Sequence, residues 1–175
     1  MSQCSNGITN AKLIHNVLSI NTGIKMALTK DLIIIQKSKI DDVQLIKDLL
    51  SKEDLPVSGV EDHIDNFLSL SINGVLIGAV GLEIYDDKAL LRSLVVDKLH
   101  QSNGYGKRLC SEIIQKARHQ NISEVYLLTE TAPKYFENIG FKIIRRESAD
   151  EMIKTSEEFQ TLCPSTAVCM FLVLN

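Results

Sequence analysis

Val95-Val96-Asp97-Lys98-Leu99-His100-Gln101-Ser102-Asn103-Gly104-Tyr105-Gly106-Lys107-Arg108 is the stretch from which the fold can be read. An apolar run ends at Val96 and a polar loop carrying two glycines follows. Leu109, Cys110, Ile113, Ile114 and Ala117 then recur at helical spacing. The pattern predicts a strand, a loop and an amphipathic helix that starts near Gly104. At such a junction several backbone N–H groups converge on one point with the helix dipole behind them, which suits a phosphate or pyrophosphate. Glycines let the backbone approach closely because no Cβ intervenes, and Lys107 and Arg108 add positive charge in the first turn. Alone, a G-x-G pair is more often an ordinary turn, so its meaning depends on the elements around it.

Upstream, Asp31 to Lys37 reads as a strand, and Val43, Ile46, Leu49 and Leu50 mark a helix that opens at Ser38–Asp41. Pro56 and Ser58-Gly59 end that helix, and Val60 to Asp65 offers a short second one. Phe67 to Ile72 alternates apolar and polar residues, Asn73-Gly74 is a favoured two-residue hairpin turn, and Val75 to Tyr85 is its partner strand. Asp86-Asp87-Lys88 turns the chain again into Ala89–Val96, so three antiparallel strands precede the glycine loop. Downstream, Glu124–Thr129 is a strand, Thr131–Asn138 a short helix and Gly140–Arg145 a strand. A polar segment with Glu157 and Glu158 leads to a last strand, Ala167–Leu174. The expected class is α/β (α+β), with a mixed, mostly antiparallel sheet flanked by helices.

The 175 residues fit one domain over 31–175, preceded by an extension, 1–30, read as disordered or loosely docked. The 19 basic and 22 acidic residues leave a net charge of −3, which argues against a nucleic acid or an anionic membrane as partner. No apolar run is long enough to span a bilayer. Cys4, Cys110, Cys163 and Cys169 lack the close pairing of zinc or redox motifs, so they read as reduced thiols of a cytoplasmic protein that needs no metal. The extension has no acid before Asp31 but also no arginine, which leaves organelle targeting open, as Met26 leaves open a later start.

Gln101-Ser102-Asn103-Gly104-Tyr105-Gly106, set after Val95-Val96, resembles the acetyl-coenzyme A loop of the GNAT superfamily of N-acetyltransferases. Tyr135-Phe136-Glu137-Asn138-Ile139-Gly140-Phe141 is similar to that family's helix-to-strand junction, and the likeness runs from about Leu32 to Leu174. More narrowly, Leu55–Ile64, Leu91–Asp97, Leu127–Ala132 and Leu162–Val168 resemble the arsenic-resistance-associated N-acetyltransferases. The Leu127-Leu-Thr-Glu-Thr-Ala132 stretch is also similar to amino-acid N-acetyltransferases.

The resemblance implies an enzyme that moves an acetyl group from acetyl-coenzyme A by direct attack of a small-molecule amine, an amino acid or a similar compound. Leu94, Val95 and Val96 would meet the pantetheine arm. Gln101, Ser102, Asn103, Gly104, Tyr105, Gly106, Lys107 and Arg108 would cradle the pyrophosphate, with Phe136 close by. Phe136 stands where many relatives carry a tyrosine acid, so Ser165 or Thr166 near the last strand becomes the candidate acid. Glu83 and Glu130 are candidate bases, each also readable as a solvated carboxylate. Arg92 could meet an acceptor carboxylate or form a structural ion pair, and His63 could line the acceptor side or be exposed. A coenzyme A sensor without turnover is the competing reading, and a homodimer is compatible with either.

Overall fold

In a computed structural model the described residues are 31–174; the N-terminal extension expected over 1–30 lies outside them. Seven strands form one sheet in the order β1-β2-β3-β4-β5-β7-β6: β1 Ile33–Lys37, β2 Leu68–Ile72, β3 Val75–Tyr85, β4 Lys88–Val96, β5 Glu124–Thr129, β6 Lys142–Ile144 and β7 Val168–Val173. Every neighbouring pair is antiparallel except β4 and β5. The expected sheet is therefore present. Asn73 and Gly74, at φ 51° and 83°, form the two-residue turn of the β2–β3 hairpin, both in the left-handed region that this turn requires. No helix among the described residues is long and apolar enough to cross a membrane.

Helices α1 (Val43–Lys52), α2 (Tyr105–His119), α3 (Pro133–Glu137) and α4 (Glu151–Lys154) cover the sheet. Strand alternation sends Leu70, Val80, Leu82, Leu91, Val125, Leu127 and Met170 to one face. There they meet the apolar stripe of α2, Leu109, Cys110, Ile113, Ile114 and Ala117, with Phe136 and Phe141 beside it. The opposite face carries two separate apolar clusters. One packs Ile46, Leu49 and Leu50 of α1 against Phe67, Ala79 and Val95, and the other gathers Leu90, Tyr126, Ile153, Phe159 and Cys169.

Two segments differ from their sequence reading. Val60–Asp65 is a run of turns ending in a 3-10 turn, Ile64–Asn66, in place of a short α-helix; Gly59, at φ 73°, starts the run in the left-handed region. The stretch before the last strand, polar in composition, folds as α4 and then a π-helical turn, Glu158–Leu162, burying Ile153 and Phe159. Its apolar residues stand six apart, a spacing that the 3.6-residue period does not reveal.

The register of β3 against β4 slips between Ala79 and Gly81, where Ser93 adopts φ 55°. Two residues of β4 there oppose one of β3, a β-bulge that bends β4. Gly81 lies under the ring of Phe67, in space that a Cβ would occupy. Gly81→Ala should therefore overpack this contact and lower stability by about 1–3 kcal/mol, measured by denaturant unfolding; an unchanged midpoint would contradict the placement of the Phe67 ring.

Candidate active site

Parallel pairing of β4 with β5 is short. Lys88, Ala89 and Leu90 pair with Glu124, Val125 and Tyr126, after which β4 stays with β3 through Val96 while β5 stays with β7 through Thr129. Beyond Leu90 the two halves of the sheet diverge, and a cleft of about 760 Å³ opens between them. Leu91, Leu94 and Val96 of β4 form one wall, and Leu127, Leu128 and Thr129 of β5 form the other. On its β5 side the backbone of this part of β4 has no paired strand, so its peptide groups remain available to an extended ligand.

The glycine loop closes one end. A 3-10 turn, Lys98–His100, is capped by Asp97, whose carboxylate accepts from Leu99 N at 3.0 Å and lies 3.2 Å from His100 Nδ1. Gln101 Nε2 donates back to Val96 O at 2.9 Å, and Asn103 Nδ2 donates to the carbonyls of His100 and Gln101 at 3.1 Å each. These bonds hold the loop without a ligand. Gly104 caps α2 at φ 78°, and the first N–H groups of the helix have no intrahelical acceptor. Gln101, Ser102, Gly104, Tyr105, Gly106 and Lys107 all line the cleft. A Cβ on Gly106 would come within 3.0 Å of Tyr135 Oη, so glycine keeps this approach open.

Three of the residues expected to contact a ligand here have side chains outside the cleft lining, which leaves the Val95 backbone on the open side of β4. Asn103 frames the loop, Arg108 is exposed outside the cleft lining, and the Val95 side chain packs against α1 on the opposite face. Phe136 lines the cleft through its ring, stacked edge-on against Tyr135 and Phe141. Tyr135, one residue earlier, also lines the cleft, and its hydroxyl lies 3.8 Å from Cys110 Sγ.

A charged cluster forms the far side. Arg92 is buried, and each of its nitrogens faces a protein oxygen. Nη1 pairs with Glu83 Oε1, Nη2 donates to Ser58 O at 2.5 Å, and Nε lies 3.2 Å from Glu158 Oε1. Arg92 also lines the cleft, and there it pairs with the protein's own carboxylates. Glu83 is buried too, accepts from Tyr85 Oη at 2.8 Å and lies 3.7 Å from His63 Nε2. Neither the solvated carboxylate of one reading nor a cleft base describes it, since Glu83 and His63 both fall outside the cleft lining. Glu130 does line the cleft and is exposed. Ser165 and Thr166 are the exposed middle of a turn closed by Ala167 N donating to Pro164 O at 3.0 Å, so the structure does not bring their hydroxyls into the cleft lining.

Glu158 is the residue that sequence reasoning missed. The π-helical turn directs Glu158 inward while Glu157 stays exposed and accepts from Ser58 Oγ at 2.5 Å. Arg146 secures this segment by donating to the carbonyls of Phe159, Cys163 and Pro164, with its guanidinium 5.1 Å over the Phe159 ring. Burial pushes the Glu158 carboxyl up to about 7, against the pull of Arg92 and with further push from Glu83 and Glu157. Burial likewise pushes the Cys163 thiol up to about 11. Two adjacent glutamates look alike in a sequence; only the unusual turn separates them.

Comparison with known proteins bears on this arrangement. The model of the acetyltransferase (GNAT) family matches residues 39–141. An amino-acid acetyltransferase of Neisseria meningitidis serogroup A is 28% identical over 165 residues, covering 87% of this chain and 36% of the relative. An N-acetylglutamate synthase from Neisseria gonorrhoeae, solved with coenzyme A and L-arginine, has a TM-score of 0.70 at 24% identity, over 83% of this chain and 34% of that one. Rv2747 from Mycobacterium tuberculosis, solved with CoA and NLQ, has a TM-score of 0.66 at 20% identity, over 81% of this chain and 99% of that one. The chain spans about a third of the length of the curated relatives it matches, and its likeness to the solved structures is one of fold.

Replacing Arg92 would leave two largely buried carboxylates without their cation. Arg92→Leu should cost about 3–5 kcal/mol of stability, read from denaturant unfolding at neutral pH; an unaltered midpoint would show that the cluster is hydrated and not held by Arg92.

Proposed function

The chain belongs to the acetyltransferase (GNAT) family, and from that premise we propose that it transfers an acetyl group from acetyl-coenzyme A to the amine of a small molecule by direct attack. One observation carries the proposal: the unpaired side of β4 and the glycine loop at the start of α2 border the same cleft. The first suits an extended amide-bearing arm and the second a pyrophosphate, the two chemically distinct parts of coenzyme A.

The residues present fit that group. N–H groups of Tyr105, Gly106 and Lys107 would hold the pyrophosphate, with the Lys107 ammonium beside it. The Leu91–Val96 backbone would pair with the amides of the arm, and Leu94, Val96 and Phe136 would exclude water. When bound, acetyl-coenzyme A supplies an acyl group already activated as a thioester. The protein's remaining tasks are to orient the acceptor and to move a proton, which is work for carboxylates on the far side of the cleft.

For the acceptor we propose an amino acid or amino-acid-like compound. Its support is the similarity to amino-acid acetyltransferases and the Leu127–Ala132 stretch, which lines the cleft. Amino-bearing arsenicals belong to the same class and are suggested by the resemblance of Leu55–Ile64 and Leu162–Val168 to the arsenic-resistance group. A second reading, a coenzyme A sensor without turnover, draws on Phe136 in place of the tyrosine that many relatives carry.

Thiol release from acetyl-coenzyme A, measured against a panel of amino acids and amino-bearing arsenicals, separates the two. We expect at least one acceptor to raise release well above the blank. Gly104→Glu, which adds a carboxylate where the phosphates would sit, should abolish that increase. Tight coenzyme A binding with no acceptor-dependent release would favour the sensor.

A further inference from the structure

Three carboxylates lie near the far side of the cleft, and their surroundings differ. Glu83 is enclosed by Arg92, Tyr85 and His63 and does not reach the cleft wall. Glu130 reaches the wall but is exposed, so water competes for any cation it meets. Glu158 alone of the three is both buried and part of the wall, and its carboxylate meets the protein's positive charge at one contact, Arg92 Nε. Arg92 is in turn shared with Glu83, so the ionised trio Glu83–Arg92–Glu158 carries a net charge of −1. A buried excess of negative charge that opens on a cleft suits a cationic ligand group, and of the three carboxylates only Glu158 is placed to receive it.

On the reading that the chain is an acetyltransferase, we propose that Glu158 binds the acceptor's ammonium group and takes its proton, with Arg92 and Glu83 acting as positioning residues. An ammonium entering the cleft gives one proton to the Glu158 carboxylate, which frees the nitrogen lone pair. As that pair forms the C–N bond to the acyl carbon, the C–S bond breaks. The second proton lost by nitrogen ends on the departing sulfur, and Glu158 returns its own proton to water. Any carboxylate of the acceptor must lie away from the trio, since a further negative charge beside Glu83 and Glu158 would be repelled.

The surrounding groups agree with this role. Among the described residues, Arg92 on β4, Glu83 on β3, Glu157 next in the chain and Cys163 after the π-helical turn interact with Glu158, while Tyr85 acts through Glu83 and Arg146 holds the Phe159 carbonyl beside it. Arg92 keeps the carboxylate accessible to ionisation, while burial raises its pKa to a range useful for a base at neutral pH. With the carboxyl raised to about 7, the share of the base form grows as pH rises through that value.

The test compares wild type with Glu158→Gln in thiol release as a function of pH. It uses the fastest amino acid of the panel and, separately, hydroxylamine, a nucleophile already unprotonated at neutral pH, with coenzyme A affinity measured alongside. We expect Glu158→Gln to lower kcat with the amino acid about 100-fold or more and to remove the acidic limb of the pH profile. Turnover of hydroxylamine should fall far less, and coenzyme A affinity should hold. Retention of both kcat and the acidic limb would overturn the assignment, as would an equal fall for both nucleophiles together with lost coenzyme A affinity. Glu158→Asp, which keeps the charge but shortens the reach, covers the case of a Gln variant that does not fold; it should keep the acidic limb at reduced kcat, and a wild-type kcat would overturn the assignment. A wild-type protein that binds coenzyme A yet turns over neither nucleophile would instead overturn acetyl transfer itself.

Discussion

Beyond Leu90 the hydrogen bonds of β4 run to β3 alone, and those of β5 run to β7 alone. The site depends on this parting of one sheet into two halves. A continuous ladder would satisfy every peptide group and leave no cleft. The bulge at Ser93 bends β4, and Phe67 over Gly81 fixes the neighbouring part of β3. On one face a continuous apolar core, with the α2 stripe in it, spans both diverging halves. The opposite face has no such bridge, and its two apolar clusters remain apart.

Glu83 and Arg92 project from the sheet on that opposite face, and Glu158 joins them from the segment before β7. A buried ion cluster is costly to desolvate and is weak evidence of stabilisation in itself. Here it ties to the paired strands β3 and β4, which carry Glu83 and Arg92, two parts of the chain that the sheet does not join to them: Arg92 reaches Ser58 after α1 and Glu158 before β7. Glu157 adds a second link to Ser58 from the same turn. The cost of burying charge thus falls where the cleft wall needs fixed polar groups, and one of those groups borders the cleft.

Much of this was legible in the sequence. Alternation from Phe67 to Ile72, the Asn73-Gly74 turn and the β-branched runs locate the strands to within a residue or two. The apolar stripe from Leu109 to Ala117 locates α2. The glycine loop was legible because the geometry that suits an anion depends on backbone and on small residues, which sequence displays openly. Side chains on the far side of the cleft were not. Arg92 reads equally as substrate contact or ion pair until Glu83 and Glu158 are seen beside it. Ser165 and Thr166 follow Pro164 into an exposed turn, which no periodicity announces. Glu158 was hidden because helical spacing assigns no inward face to a segment that winds as a single π-helical turn.

The same geometry makes the peptide groups of β4 a direct reporter of what occupies the cleft. Hydrogen–deuterium exchange with and without coenzyme A would reveal it. The account predicts slowed exchange at Leu91–Val96 and at Ser102–Lys107, with little change in β1, β2 or β6. Coenzyme A binding that leaves both segments exchanging at their free rate would contradict it.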